Sequence, residues 1–226
     1  MAKFISSIGQ ISGKLGGVVF KQRGNKTYIS KIPAHIKPSS DPVVIQRRKK
    51  FAWVGKFTRA VNSSPLLKAL WKSSSSRSVS AYNNIFQSVF NSIDSKDLSG
   101  IPIFVPWFSP FSLKSNSVLF GKSSIFIESG ALGHSLGIDP SVEKSIVAVG
   151  VMVLNDPEGD YHAEEMFLPV QSPALPLSLD NNLNFIISLS GRDLTIYALF
   201  RTKKIYIVLV TLDHSGNPVH HSEIIS

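Results

Sequence analysis

Apolar positions change their period twice along this chain, and each change marks a different kind of structure. Residues 1–40 hold only short apolar runs, Val18-Val19-Phe20 and Tyr28-Ile29, on either side of Gly24-Asn25. Gly and Asn both tolerate the positive φ of a tight turn, so the pattern predicts a β-hairpin. The stretch Ile32-Pro33-Ala34-His35-Ile36-Lys37-Pro38 is expected to run extended, because proline bars the residue before it from the helical region. Residues 1–40 therefore read as an arm with little core of its own.

Residues 41–98 shift to a helical period. Asp41-Pro42 is a helix start, with an acceptor at the N-cap and a proline whose missing N–H costs nothing in the first turn. On a helical wheel Val44, Phe51, Val54, Phe57, Ala60 and Val61 share one broad arc with Trp53, while Arg48, Lys49, Lys56 and Arg59 lie opposite. A second start, Ser64-Pro65, precedes Leu66, Leu67, Leu70 and Trp71. The link Ser73-Ser74-Ser75-Ser76 then leads to a third helix, in which Tyr82, Ile85, Phe86, Val89 and Ile93 recur at three- and four-residue steps. These helices predict a small helical layer.

From residue 99 onward the period becomes two. Leu183, Phe185, Ile187 and Leu189 alternate with Asn184 and Ser188, Leu194, Ile196, Ala198 and Phe200 likewise recur at every second position, and 205–210 is apolar on both faces. With runs at 124–128, 146–154, 162–168 and near Val219, seven or eight strands are expected. No helix long enough for a parallel crossover is predicted between them, which favours an antiparallel sandwich. The expected fold class is α+β, mainly β: a basic arm (1–40), short amphipathic helices (41–98), and a β-sandwich of immunoglobulin-like or jelly-roll type (99–226).

Charge sharpens this division. Residues 1–80 hold sixteen Lys and Arg against one acid, Asp41, whereas residues 81–226 hold eight against fourteen. The total of +9 thus hides a bipolar chain. Concentrated cations gain by displacing counterions from a phosphate backbone, so the basic end is expected to contact nucleic acid or an acidic protein surface. The candidates are Arg47, Arg48, Lys49, Lys50, Lys56 and Arg59, which have almost no acidic neighbours at i,i+4 spacing. Trp53 and Phe57 belong to the apolar arc, so phosphate contact without base stacking is expected. The same bipolarity favours head-to-tail contact between copies. A second candidate contact is the aromatic, proline-rich stretch 101–111, in which Phe104, Trp107, Phe108 and Phe111 are assigned to an intersubunit surface.

A hydrophobic content of 43% is ample for a packed core. No eighteen-residue apolar run occurs, and the opening residues lack the apolar stretch of a secretory signal, so a cytoplasmic or virion location with no membrane partner is expected. The absence of cysteine removes disulfides, thiolate catalysis and Cys-ligated metal.

Four motifs suggest further chemistry and each departs from its template. Gly133-His134-Ser135-Leu136-Gly137 matches a nucleophile elbow, but Ile138-Asp139-Pro140-Ser141 offers a turn where a helix should follow, and no oxyanion segment is present. Gly9-Gln10-Ile11-Ser12-Gly13-Lys14-Leu15 is one residue short of a phosphate loop and has Leu where a hydroxyl belongs. Asp156, Glu158 and Asp160 alternate in a turn without the spacing of a calcium loop. His220 and His221 point to opposite sides of a strand, so they do not share a metal. No catalytic residue, metal or cofactor is assigned, and a hydrolase built on Ser135 is the reading set aside.

Ile11-Ser12-Gly13-Lys14-Leu15-Gly16-Gly17-Val18-Val19-Phe20, Gln46-Arg47, Phe51 and Ser80-Ala81-Tyr82-Asn83 resemble uncharacterised bacterial and phage-associated proteins. In these, a glycine-rich hairpin precedes a Gln-x-x-Arg-Phe-type helix, and some carry a C-terminal immunoglobulin-like sandwich. The resemblance covers about the first ninety residues and implies a non-enzymatic, virion-related role without catalytic residues. The function expected from sequence is a structural subunit of a phage or virus-like assembly that contacts its own copies. The alternative is a monomeric, non-sequence-specific nucleic-acid-binding protein.

Overall fold

The computed structural model describes residues 2–4, 13–23, 26–32, 39–74, 79–94, 100–106, 111–113, 115–133, 137–159 and 164–226. The chain divides into two compact units, Met1–Val44 and Ile45–Ser226. In the first, β1 (Ala2–Phe4), β2 (Gly13–Leu15), β3 (Val18–Arg23) and β4 (Lys26–Lys31) form one antiparallel sheet in the order β1-β4-β3-β2. The hairpin expected from sequence is its centre, with Val18 opposite Lys31, Phe20 opposite Ile29 and Arg23 opposite Lys26. Its turn, Gly24-Asn25, lies outside the described residues, as do 33–38. Strands β2 and β3 are joined by Gly16-Gly17, and Gly16 takes a φ of +56°, which a two-residue hairpin turn demands. Of the side chains at 13–22 and 26–32, Thr27 is the one that is buried.

The second unit contains α1 (Pro42–Ser63, whose first turn belongs to the first unit), α2 (Pro65–Ser74) and α3 (Ala81–Ser92). The predicted starts are real caps: the Val43 N–H donates to Asp41 Oδ1 at 2.9 Å and the Leu67 N–H to Ser64 Oγ at 3.5 Å, and α3, whose start was not predicted, is capped by Ser80, whose Oγ accepts from the Asn83 N–H at 3.3 Å. Strands β5 (Asn116–Phe120), β6 (Ser124–Ser129), β7 (Glu143–Pro157), β8 (Glu165–Gln171), β9 (Leu175–Pro176), β10 (Leu183–Ser188), β11 (Phe200–Asp213) and β12 (Pro218–His221) follow. They form two antiparallel sheets, β10-β6-β5 and β12-β11-β7-β8, with β9 pairing β7. Setting β9 aside, the first, second and fifth strands of the sandwich share one sheet and the third, fourth, sixth and seventh share the other. That is the partition of a β-sandwich-like architecture of two antiparallel sheets.

The larger sheet is buried on both faces, because β7 and β11 carry apolar side chains in both phases of the pleat. Ile146, Ala148, Met152, Ile205, Ile207 and Leu209 meet Ile125, Ile127, Phe185 and Ile187 of the smaller sheet. The alternate residues Val147, Val149, Val151, Val153, Tyr206, Val208 and Val210 meet Trp53, Val54, Phe57, Val61, Leu67, Leu70, Ile85 and Val89 of the helices. The helices are therefore one of three layers, and they share a core with the sheet that follows them. At Gly150 a Cβ would overlap the Tyr206 carbonyl oxygen and lie 2.8 Å from Ile207 Cα, so β7 and β11 approach there as only glycine permits.

Two sequence expectations are corrected. Residues 194–200 were expected to be a strand, but α4 (Gly191–Ala198) occupies most of them before β11 begins at Phe200. The run is ambiguous, because Ile196, Tyr197 and Phe200 also satisfy a helical stripe, and those are the residues buried. The Tyr197 hydroxyl donates to the Gly121 carbonyl at 2.8 Å, tying α4 to the β5–β6 turn. Second, Phe104 and Phe111 were assigned to an intersubunit contact, yet they are 0% and 5% exposed. Phe104 joins the helix-facing core, and its carbonyl accepts from Trp71 Nε1 at 2.7 Å. Phe111 enters the sandwich core, its backbone paired to His221 and Glu223. Trp107 and Phe108 lie outside the described residues.

Candidate basic and aromatic face of the first helix

Helix α1 is buried chiefly through its second half. Trp53, Val54, Phe57, Thr58, Ala60 and Val61 are buried, whereas the turns before Trp53 are largely exposed. Phe57 sits at the centre of the anchor: Trp53 stacks on it at 5.2 Å, and Phe104, Phe167 and Tyr206 meet it edge-on at 5.8, 6.2 and 6.1 Å. This edge-to-face tiling suits the quadrupoles of the rings and holds the helix against the sheet.

The opposite side of α1 carries Arg48, Lys49, Lys56 and Arg59, and these and Arg47, which lies on the apolar side within the uncovered turns, are all exposed. Among the described residues the ion pairs are Arg201 with Glu158 at 3.5 Å and His220 with Glu143 at 3.1 Å, so none of these five is paired. Lys56 does act at longer range on Glu165, whose carboxyl is pushed above its ordinary range by burial and partly drawn back by Lys56. Lys50, the sixth candidate, differs from the rest. It is half-buried, with Nζ 4.2 Å from the centre of the Phe90 ring.

Phe51 corrects the helical wheel, which placed it on the buried arc; it is 60% exposed. Its position lies at the margin of the arc, beside α3 rather than above the sheet. There its ring tilts against Phe86 at 5.0 Å, and Phe86 runs nearly parallel to Tyr82 and Phe90 at 6.4 and 5.8 Å. Tyr82, Phe86 and Phe90 are four residues apart, so they stand one above another along α3. Between this seam and the cations lies a groove of about 440 Å³ lined by Phe51, Ala52, Gly55, Lys56, Arg59, Tyr82, Asn83 and Phe86. The spacing of Phe51 to Arg59 carried part of the signal for this groove, and α3 was expected as a helix, but that it lies beside α1 and brings Tyr82 and Phe86 to the groove was not legible.

The remaining candidates have structural partners or fall outside the described residues. Of the Gly133–Gly137 motif only the two glycines are described, and residues 139–142 form a turn. Of the phosphate-loop candidate, Gly13-Lys14-Leu15 is a strand that turns into another strand, where phosphate binding needs a helix N-terminus. Glu158 pairs with Arg201, and Asp160 is not described. His220 Nδ1 lies 3.1 Å from Glu143 Oε1, while His221 is buried with Nε2 3.0 Å from the Pro106 carbonyl oxygen, so the two rings diverge as expected for a strand. Among the described residues no three His, Asp or Glu side chains come together as metal ligands.

The smaller sheet has one feature that sequence reasoning missed. Leu119 pairs with Phe126 and Phe126 with Ile186, and all three are exposed, giving an apolar row across its outer face up to the edge strand β5. Alternation identifies the strands but does not say which phase is covered.

Fold and surface together define an α+β, mainly β protein in which helices carrying a basic, aromatic-lined face back a β-sandwich-like pair of sheets. No known family model matches the chain, and no curated protein matches it in sequence. Among the described residues no helix is long and apolar enough to cross a membrane.

Proposed function

We propose that this chain is a non-enzymatic structural subunit of a phage or virus-like assembly that holds nucleic acid on the solvent face of α1 and meets its own copies elsewhere. The observation that carries this reading is the set Arg47, Arg48, Lys49, Lys56 and Arg59: five exposed cations on one helix with no ion-pair partner among the described residues. Like charges so placed repel one another until an anion arrives, and a phosphate backbone supplies anions at matching density. The row Leu119–Phe126–Ile186 supports contact between copies, since an apolar row beside an edge strand is a surface that a second sheet can cover. Binding through phosphates predicts steep salt dependence and little sequence preference.

Light scattering coupled to size exclusion at low salt, with absorbance at 260 and 280 nm, tests both halves. A large uniform mass that loses its order in Phe126→Glu supports the subunit reading. A monomer that still carries nucleic acid selects the simpler nucleic-acid-binding protein, and a monomer free of nucleic acid removes both.

A further inference from the structure

The groove between α1 and α3 has properties that phosphate contact alone does not require. One wall is aromatic, formed by Phe51, Tyr82 and Phe86, and the other is cationic, formed by Lys56 and Arg59. Its floor is Ala52 and Gly55. A glycine in the middle of a 22-residue helix weakens that helix, yet here it lies outside the left-handed region and a Cβ would meet no heavy atom within 4 Å. Nothing among the described residues of the unit requires glycine at this position, and its effect is a flat floor. Arg48, Ala52, Gly55 and Arg59 follow at i, i+4, i+7 and i+11, so this floor runs along one stripe with an arginine at each end, roughly 16 Å apart along the helix axis.

We propose that this groove docks single-stranded nucleic acid, with bases stacking on the Phe51, Tyr82 and Phe86 rings and the backbone phosphates following Lys56 and Arg59. The inference rests on the reading of α1 as a nucleic-acid-binding face and adds the class of nucleic acid. Three considerations select a single strand. Positive charge alone would serve a duplex equally well, but a duplex hides the faces of its bases and has no use for exposed rings beside the cations. An acidic peptide would satisfy Lys56 and Arg59 through carboxylates, but it offers few flat π-surfaces to three rings. A single strand carries a phosphate and an aromatic face at every residue, which is the combination that rings interleaved with cations recognise. Asn83 on the groove wall adds an amide able to donate to or accept from a base edge.

The test uses the full chain and a fluorescent mixed-sequence DNA strand of about 16 nucleotides, alone or annealed, read by anisotropy at low salt. The unmodified protein is expected to prefer the single strand. The double substitution Phe51→Ala with Tyr82→Ala should weaken single-strand binding about tenfold while moving duplex binding by less than about twofold. Gly55→Leu provides an independent check: it places a side chain in open space, so the helix is retained while the floor is obstructed, and the same selective loss is expected. Single-strand affinity unchanged in both variants overturns the inference and leaves the phosphate-binding face standing. Displacement of the strand by an acidic, tyrosine-containing peptide at lower concentration than by unlabelled strand overturns it in favour of a peptide groove. Should joint replacement of Arg48, Lys49, Lys56 and Arg59 by Glu leave binding intact, α1 is not the nucleic-acid-binding face and both readings fall.

Discussion

Two sets of aromatic rings meet on α1, and they differ in what covers them. Trp53 and Phe57 lie under the helix with Phe104, Phe167 and Tyr206, closed in by the larger sheet. Phe51, two residues before Trp53, joins Tyr82, Phe86 and Phe90 in a seam that stays open to solvent on one side. The chemistry of the rings is the same. The closed set gains from area removed from water and from edge contacts in every direction, so its role is stability. The open set retains uncovered ring surface beside exposed cations, and that surface is available for recognition.

Removing one ring from each set is the most direct way to break this comparison. Phe57→Ala opens a cavity beneath the helix and should cost about 3–5 kcal/mol in urea unfolding. Phe51→Ala should cost less than about 1 kcal/mol. Equal losses would mean that the seam is a second core. Next in size is the joint replacement of Arg48, Lys49, Lys56 and Arg59 by Glu, expected to abolish DNA retention on a low-salt column while shifting the thermal midpoint by only a few degrees, or about 1 kcal/mol for a domain of this size. A large fall in stability would place these cations in the structural set instead.

Gly55→Ala has an expected sign opposite to that of the core substitutions. It should raise stability by about 0.5–1 kcal/mol, because nothing lies where the methyl would go. A loss of stability would show that the floor of the groove is already in contact with something. The smallest effect concerns Glu165, whose pKa is raised by burial and held back by Lys56. A carboxyl with a raised folded-state pKa binds protons more readily when folded, so its contribution to stability declines as pH rises from the unfolded pKa through the folded one. Lys56→Glu removes the restraining cation, and the thermal midpoint should fall more steeply with pH across the carboxylate range than in the unmodified chain. Parallel pH profiles would show that Lys56 and Glu165 do not interact.

Much of the fold could be read locally. Asp41-Pro42 and Ser64-Pro65 mark helix starts because caps depend on a few adjacent residues, and the alternation from Leu183 to Leu189 identifies β10 because strand period is a local property. Residues 194–198 were misread for the same reason. A short apolar run satisfies both periods, and the choice fell to Tyr197, whose hydroxyl reaches Gly121 far away in sequence. The candidate site was half legible. The cations were evident from their spacing, but Phe51 was assigned to the core because a wheel cannot tell where the covering sheet ends and the neighbouring helix begins.

Periodicity, capping and charge, all set by residues within a few positions of one another, already specify the helical segments, most strands and the basic character of the first eighty residues. Which apolar surfaces are covered depends on partners brought together from distant parts of the chain. Packing alone placed the helices on the larger sheet, enclosed Phe104 and Phe111, and left Phe51, Leu119, Phe126 and Ile186 in solvent. Burial is a relation between surfaces, and the second surface is not contained in a local pattern.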